Sequence, residues 1–502
     1  MLTKTNTINN NNKYDYNYYY KKANKELLNE NYESAIENYK QSLNFKNNNL
    51  ECLYELGQLY KKLNRFEEAI VFYKRIVELE NNMIKLLISL NEIGVFYSNL
   101  CDYSSAIEYF EKVLQIKNDI QDVHNNLAHC YLKLKNYGLC EKSCYNSLRI
   151  AQNDLTLQTL GELYLFTKKY DISKKCYEKI SDLDKNSNIK YNYSFPHLAS
   201  KNFSYGFKLY ENRLANNNIC TQTKQKQRVE IPQIEDWDGK KPCKSLLVVY
   251  EQGIGDNIQY YRFLIELAEL YPYMRIDYFC KETVSPLFKQ FNNLSVIQNV
   301  IVMQYEYKIF IMSLPYILNI SEIKPNIHNY ININNNKLEY WKNELSHLKK
   351  FRVGITNNGL LTSIIDKHIS LPEFNILFDS NIDFICINRL NEVDPEHKNL
   401  LKDKITFLDI DKDVPFEDTV AILNNIDLLL TVDTYIVHLA GVLNIKTLLL
   451  LGYTSDWRWF NDDVCLWYKS VEIMRLKENK EFKNILINVK EKLDNILSNK
   501  NN

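Results

Sequence analysis

The chain has 502 residues, 45% hydrophobic and 25% charged, which exceeds one ordinary core and predicts two or three domains. Lys+Arg and Asp+Glu both total 62, so bulk attraction to nucleic acid is excluded, while 12 Gly and 10 Pro exclude collagen-like and proline-rich classes. The 11 cysteines contain no CxxC pair and no zinc set, which reads as reduced, buried thiols of a soluble, cytoplasmic protein.

Residues 1–15 are Asn- and Tyr-rich with no apolar signal core, and are expected to be a disordered leader. No apolar run reaches the roughly 18–20 residues of a membrane span, so no membrane span is expected. Residues 16–186 are periodic. Small residues Ala23, Gly57, Gly94, Ala128 and Gly161 recur at intervals of 34, 37, 34 and 33. Tyr60, Tyr97, Tyr131 and Tyr164 follow three positions later. A second series has Ala35, Ala69, Ala106, Cys140 and Ser173, each followed four residues on by Tyr39, Tyr73, Phe110, Cys144 and Tyr177. Small residues let two helices cross closely, and aromatics fill the space beside them. These five copies resemble the tetratricopeptide repeat. The resemblance implies a solenoid whose concave groove, here lined by Tyr and Asn, takes a peptide or protein partner.

Residues 187–243 read as an imperfect helical hairpin, with Gly206, Tyr210, Glu211 and Arg213 at helical spacing, then a polar connector ending in Trp237-Asp238-Gly239. From 244 to 345 the period changes. Leu246–Tyr250 is a buried-strand run, followed by Glu251-Gln252-Gly253-Ile254-Gly255-Asp256 and an amphipathic helix. Position 258 is Ile, so the dinucleotide fingerprint is broken. Gly253 and Gly255 allow a tight turn and close approach by a ligand. Two roles fit Asp256, the N-cap of its helix and a general base aimed into a cleft. Segments 274–280, 295–303 and 307–314 read as further strands.

Residues 346–475 repeat the alternation, with strands at 351–355, 382–389, 405–410, 427–432 and 445–452 and a helix in PFEDTVAILNNI. Together the two halves predict parallel, Rossmann-like α/β sheets after the solenoid. In VDTYIVHLAG, Thr434 stands at a strand-to-helix junction with His438 one turn on. Asp433 and Thr434 either cap this helix or join His438 around a diphosphate. Lys367 and Arg458 are basic residues able to join them. Tyr453, Trp457, Trp459 and Phe460 read mainly as packing. Asp409, Asp411 and Asp413 form two D-x-D strings interrupted by Lys412, which chance spacing explains, so no metal is expected. Within 476–502, Phe482, Ile485, Leu486, Val489, Leu493 and Ile496 form the stripe of a docked helix.

The motifs ENR, WDG, EQGIGD, VGI, FEDT, VDTYIVHLAG and SDWRW, following the repeats, resemble the family 9 glycosyltransferases (the heptosyltransferase group), and particularly the related domain found after tetratricopeptide repeats. A more distant likeness is to the repeat-bearing O-linked N-acetylglucosamine transferases. The resemblance implies a GT-B pair of Rossmann-like domains: an acceptor half at 244–345 and a nucleotide-sugar half at 346–475. It implies metal-independent, inverting transfer from a nucleotide-sugar, with no permanently bound cofactor. Asp256 matches the family's catalytic base, while Asp433, Thr434 and His438 match its donor signature, with Gly253, Gly255 and Lys367 beside them. In such folds the last helix often crosses back to the first half. Tyr435 departs from the usual Gly or Ser, KHIS from RSIP, and ITNNG from a Trp-Gly segment. Two other readings stand beside transfer: an inactive scaffold acting through the repeats, and a nucleotide-binding regulator.

Overall fold

A computed structural model describes residues 15–79, 82–181, 183–215, 229, 231–325, 329–359, 365, 367–389, 392–410 and 415–500. The chain forms two compact units, Met1–Leu163 and Tyr164–Asn502. Most of the expected leader, part of the polar connector, and Asp411 and Asp413 of the D-x-D strings lie outside the described residues.

The first unit is built from helix pairs: α1 (Tyr16–Leu28) with α2 (Tyr32–Phe45), α3 (Leu50–Lys62) with α4 (Phe66–Leu79), α5 (Met83–Asn99) with α6 (Tyr103–Ile116), and α7 (Gln121–Lys133) with α8 (Tyr137–Ile150). Helix α9 (Asp154–Phe166) carries the chain into the second unit. Close crossing explains the small-residue series. A Cβ at Gly57 would lie 2.8 Å from the Tyr73 ring, and one at Gly94 would lie 2.6 Å from Phe110. Ala23, Ala35, Ala69, Ala106, Ala128 and Cys140 are wholly buried, as are Tyr39, Tyr73 and Phe110.

The turn inside each pair has no glycine. Glu30, Asn64, Cys101, Lys135, Lys168 and Lys201 all take left-handed φ values of 57–64°. One residue later an amide closes back on the helix, as in Asn31 N to Glu26 O at 2.9 Å and Asn136 N to Tyr131 O at 2.8 Å. This is the six-to-one bond of a Schellman cap, made by L-residues that cost about 1 kcal/mol each in that conformation. Cys101 stands on such a turn and is exposed, which corrects the expectation that the thiols are buried; the other described cysteines are free and buried or half-buried.

The second unit opens with α10 (Tyr170–Glu178), α11 (Ser187–Ala199) and α12 (Phe203–Tyr210). The α11–α12 hairpin, expected to be irregular, turns at Lys201 with the same closure, Asn202 N to His197 O at 2.9 Å. Its ENR sequence anchors it. Arg213 is buried and its Nη2 donates to Glu251 Oε1 at 2.6 Å and to Ser313 Oγ at 2.8 Å. The connector then adds to a sheet edge: Trp237 N donates to Lys308 O at 2.7 Å and Lys308 N to Glu235 O at 2.9 Å. Gly239, at φ 75°, completes the WDG turn.

Strands β1 (Ser245–Val249), β2 (Arg275–Phe279), β3 (Leu294–Ile297) and β4 (Tyr307–Phe310) form one parallel sheet in the order β3-β2-β1-β4. Helix α13 (Ile254–Leu270) follows β1. Two expected strands are shorter than read. The 295–303 segment leaves the ladder after Ile297, with a 3-10 turn at Val302–Gln304. The 307–314 segment bends into a 3-10 turn at Ile311–Ser313 and the short α14 (Leu314–Ile317), where Pro315 has no N–H for a ladder.

After α15 (Asn335–Glu344), β5 (Phe351–Thr356), β6 (Ile382–Cys386), β7 (Ile405–Phe407), β8 (Leu428–Val432), β9 (Thr447–Leu451) and β10 (Val471–Arg475) form a second parallel sheet. Its order, β7-β6-β5-β8-β9-β10, is that of a doubly wound dinucleotide fold. Helices α16 (Pro395–Leu401), α17 (Pro415–Leu423) and α18 (Tyr435–Val442) connect these strands. Strand β10 was not foreseen; it is an edge strand with alternating burial. Within FEDT, Asp418 accepts from Trp341 Nε1 at 2.8 Å and pairs with Lys337 at 3.1 Å, holding α17 to α15.

The last helix, α19 (Ile485–Lys500), buries Ile485, Leu486, Val489 and Leu493 with Leu448 and Leu450 of β9. It therefore packs on the second sheet rather than crossing back to the first half as such folds often do. Strand β10 brings the chain to that sheet's edge immediately before the helix.

Candidate active site

Both sheets place their carboxyl ends toward one cleft of about 830 Å³ within the second unit. In open sheets of this order, ligands bind outside the carboxyl ends where strand order reverses. Asp256, Gly253, Gly255, Lys367, Asp433, Thr434 and His438, singled out from the sequence, all line it.

On the first wall, β1 runs into Glu251-Gln252 and then α13. The left-handed residue here is Gln252, at φ 62°, rather than either glycine. Gly253 is the N-cap in extended backbone, and Asp256 sits at the third helical position, not at the cap. Its Oδ2 reaches back to accept from Gly253 N at 3.0 Å. Gly255 serves close packing: a Cβ there would lie 3.0 Å from His438 Cδ2 and 3.3 Å from the Tyr435 Cα. The first turns of α13 and α18 are thus in close contact.

On the second wall, Thr434 is the N-cap of α18, its Oγ1 accepting from Ile436 N at 3.1 Å. The capping role is therefore real, and it leaves the positive end of α18 facing the cleft. Lys367 Nζ pairs with Asp433 Oδ2 at 2.7 Å. Burial pulls the Lys367 ammonium down, but the nearby Asp433 and Asp456 charges outweigh it and hold its pKa raised.

His438 is buried, and burial, helped by Arg458 and Lys367, lowers its pKa to about 4. The ring is therefore neutral at pH 7. It stacks on Trp459 with centroids 5.5 Å apart, and Nδ1 lies 3.0 Å from the Tyr468 hydroxyl. In the tautomer where that hydroxyl donates to Nδ1, the Nε2 proton lies on the side of Gly255.

The two walls are joined by a residue that sequence reading named only as a possible addition. Arg458 Nη2 pairs with Asp256 Oδ1 at 2.5 Å, and Nη1 with Asp456 Oδ1 at 2.9 Å. Burial opposes the Arg458 charge, but Asp456 and Asp256 hold its pKa well above the usual arginine range. The Asp456 carboxyl is opposed by burial too, yet Arg458 and Lys367 keep its pKa low.

Sequence reading missed Asp456. The Asp-Trp-Arg spacing carried a signal, since Asp456 caps the turn Trp457–Trp459 by accepting from Arg458 N at 3.0 Å. It also missed Tyr191 and Phe195 of α11, which line the cleft. Tyr210, noted only for its helical spacing, lines it as well and accepts from Gln252 Nε2 at 3.0 Å. Nothing in their local sequence marks these rings as cleft residues.

In the first unit, a smaller groove of about 340 Å³ runs along α7 and α9 past Asn125, Asn126, His129, Lys133, Gln158 and Glu162. The expected Asn lining is present, but no Tyr is among the lining residues. Tyrosines such as Tyr60 and Tyr73 are instead buried between helices. Burial, with Lys133 nearby, lowers the His129 pKa to about 4. Burial raises that of Glu162, which accepts from Gln158 Nε2 at 3.2 Å.

Among the described residues no cluster of His, Cys, Asp and Glu could hold a metal ion, and no helix is long and apolar enough to cross a membrane. Tetratricopeptide-repeat family models match residues 26–87 and then 88–120, 121–154 and 156–187. Similar solved structures include a tetratricopeptide repeat protein from Parabacteroides merdae, 16% identical, covering 40% of this chain and 86% of that one, with a TM-score of 0.34. PilF of Pseudomonas aeruginosa is 18% identical over 35% of this chain and 79% of its own, TM-score 0.31. MamA of Desulfovibrio magneticus RS-1 is 15% identical over 34% and 95%, TM-score 0.31. No curated protein matches the chain. Residues 26–187 are thus tetratricopeptide repeats, followed by an α/β region of parallel sheets.

Proposed function

We propose that the α/β region is a glycosyltransferase of GT-B type, metal-independent and inverting, that takes a nucleotide-sugar in its cleft, and that the repeats dock a peptide or protein partner. The observation that carries the enzymatic reading is the opposition of two walls. A carboxylate, Asp256, stands at the carboxyl edge of one sheet. A lysine, a helix N-terminus and a neutral imidazole stand at the edge of the other.

The acceptor hydroxyl oxygen attacks the anomeric carbon while its proton passes to Asp256. The bond from that carbon to the β-phosphate oxygen breaks, and its electron pair leaves with the nucleoside diphosphate. Lys367, the amides at the start of α18 and the His438 N–H stabilise the charge that develops on the leaving phosphate. Neutral His438 acts here as a hydrogen-bond donor, so its contribution persists above pH 7.

The test is a binding and transfer screen of the full chain against nucleotide-sugars. D256N is expected to bind donor at least as well as the natural protein and to lose transfer on the order of 10²–10⁴-fold. Undiminished transfer in D256N removes the base assignment. Failure of every nucleotide-sugar to bind removes the enzymatic reading and leaves a partner-binding scaffold, which the repeat-family match supports independently.

A further inference from the structure

We infer that Arg458 is the principal anion-binding side chain of the cleft and that Asp256 holds its place in the empty site. A diphosphate oxygen exchanges with the Asp256 carboxylate for the Arg458 guanidinium, and the exchange frees Asp256 to meet the acceptor. This inference rests on the donor reading above.

Arg458 is built into the second wall and reaches the first with one nitrogen. Its amide is capped by Asp456, its carbonyl accepts from Trp467 Nε1 at 2.7 Å, and its guanidinium lies 5.1 Å from the Trp457 ring centroid. Nη1 is held by Asp456, while Nη2 crosses to Asp256, 202 residues away in sequence. Its Nε is buried without a partner, an unspent donor on a side chain that lines the cleft.

Charge argues for exchange rather than simple addition. The cleft is lined by Lys367, Arg389 and Arg458 against Asp256, Glu392, Asp433 and Asp456. With His438 neutral, the lining already has one more negative charge than positive. A diphosphate entering unchanged surroundings would meet Lys367 already paired with Asp433, and Arg458 already paired with Asp256 and Asp456.

One of those carboxylates must give way. Asp433 is only 9% exposed and paired with Lys367, and Asp456 caps the turn that carries Arg458. Asp256 comes from the opposite wall, is 23% exposed, and keeps its Oδ2 bond to Gly253 N when Oδ1 lets go. It is the carboxylate least costly to displace. A fixed internal competitor of this kind lowers apparent affinity by the fraction of time it occupies the cation.

The experiment is calorimetric titration of the full chain with uridine, guanosine, adenosine, cytidine and thymidine diphosphates, on the natural protein, D256N, R458Q and the double variant. D256N is expected to bind the preferred diphosphate about tenfold tighter, because the guanidinium is no longer shared with a charged carboxylate. R458Q is expected to bind at least about tenfold weaker, and the double variant to resemble R458Q. Exchange makes the D256N gain depend on Arg458, so it should vanish in the R458Q background; an equal gain in both backgrounds reports only the loss of a nearby negative charge and overturns the exchange. The D256N arm also stands whether or not R458Q folds, which circular dichroism checks. Binding by the natural protein that D256N leaves unchanged or weakens overturns the exchange and spares the donor reading. If neither the natural protein nor D256N binds any diphosphate, the donor reading itself fails and the exchange falls with it.

Discussion

The helical repeats and the α/β region solve the same problem, bringing distant residues into contact, over very different sequence distances. In the repeats, Gly57 meets Tyr73 and Gly94 meets Phe110, each partner 16 positions away, and the arrangement recurs copy after copy. In the α/β region, Arg213 finds Glu251 38 positions on, and Asp256 finds Arg458 202 positions on. A local, repeated contact leaves a periodic trace in the chain. A single long-range ion pair leaves none. Energetic dependence should differ accordingly: graded and local in the repeats, concentrated at a few buried charges in the α/β region.

Breaking the concentrated side of that comparison should give the largest effect. R213M strips the buried Glu251 of its partner and should cost about 3–5 kcal/mol. Denaturant unfolding read by tryptophan fluorescence reports on the α/β region, since Trp237, Trp341, Trp457, Trp459 and Trp467 all lie there. A loss below about 1 kcal/mol would show that this pair behaves like a surface one.

Acidification sharpens the same contrast. The His438 pKa is lowered from 6.5 to about 4 by burial. Below pH 6.5 the unfolded chain takes up a proton that the folded chain refuses until about pH 4. Stability from this group is therefore complete above pH 6.5 and is lost as pH falls toward 4, on the order of 3 kcal/mol in all. H438Q should flatten that portion of the melting-temperature profile. An unchanged acid slope in H438Q would contradict the buried neutral ring.

In the repeats, G94A inserts a methyl into the Phe110 ring and should cost about 1–3 kcal/mol, measured by helical circular dichroism during urea unfolding. A neutral G94A would show that the helix pair opens freely. The smallest effect is expected at the turns. Lys135, at φ 58°, occupies a conformation that suits glycine, so K135G should be neutral to stabilising by up to about 1 kcal/mol. Destabilisation by K135G would mean that the turn depends on the lysine side chain.

These differences account for what was legible. The repeats were readable from Ala23 through Tyr177 because one packing solution, used several times, writes the same residues at the same spacing. Their turns were not readable, since Glu30, Asn64, Cys101 and Lys135 share a backbone conformation but no chemistry. The long apolar strands β1, β8 and β9 were readable as buried runs. Strand β10 was not, because an edge strand with Glu472 and Arg475 resembles a loop in composition.

The site divides in the same way. The sequence alone determined which residues stand at strand-to-helix junctions: Gly253 to Asp256 after β1, and Asp433, Thr434 and His438 after β8. Chain order fixes such positions, because a strand must end before the next helix begins. Packing in space places the Asp256 carboxylate on Arg458 from the third helical position, buries and neutralises His438, and brings Tyr191, Phe195 and Tyr210 to line the cleft. Those outcomes depend on which desolvated charges and rings meet across two sheets, and the energy of each meeting depends on distance and burial in space, which no local pattern of residues encodes.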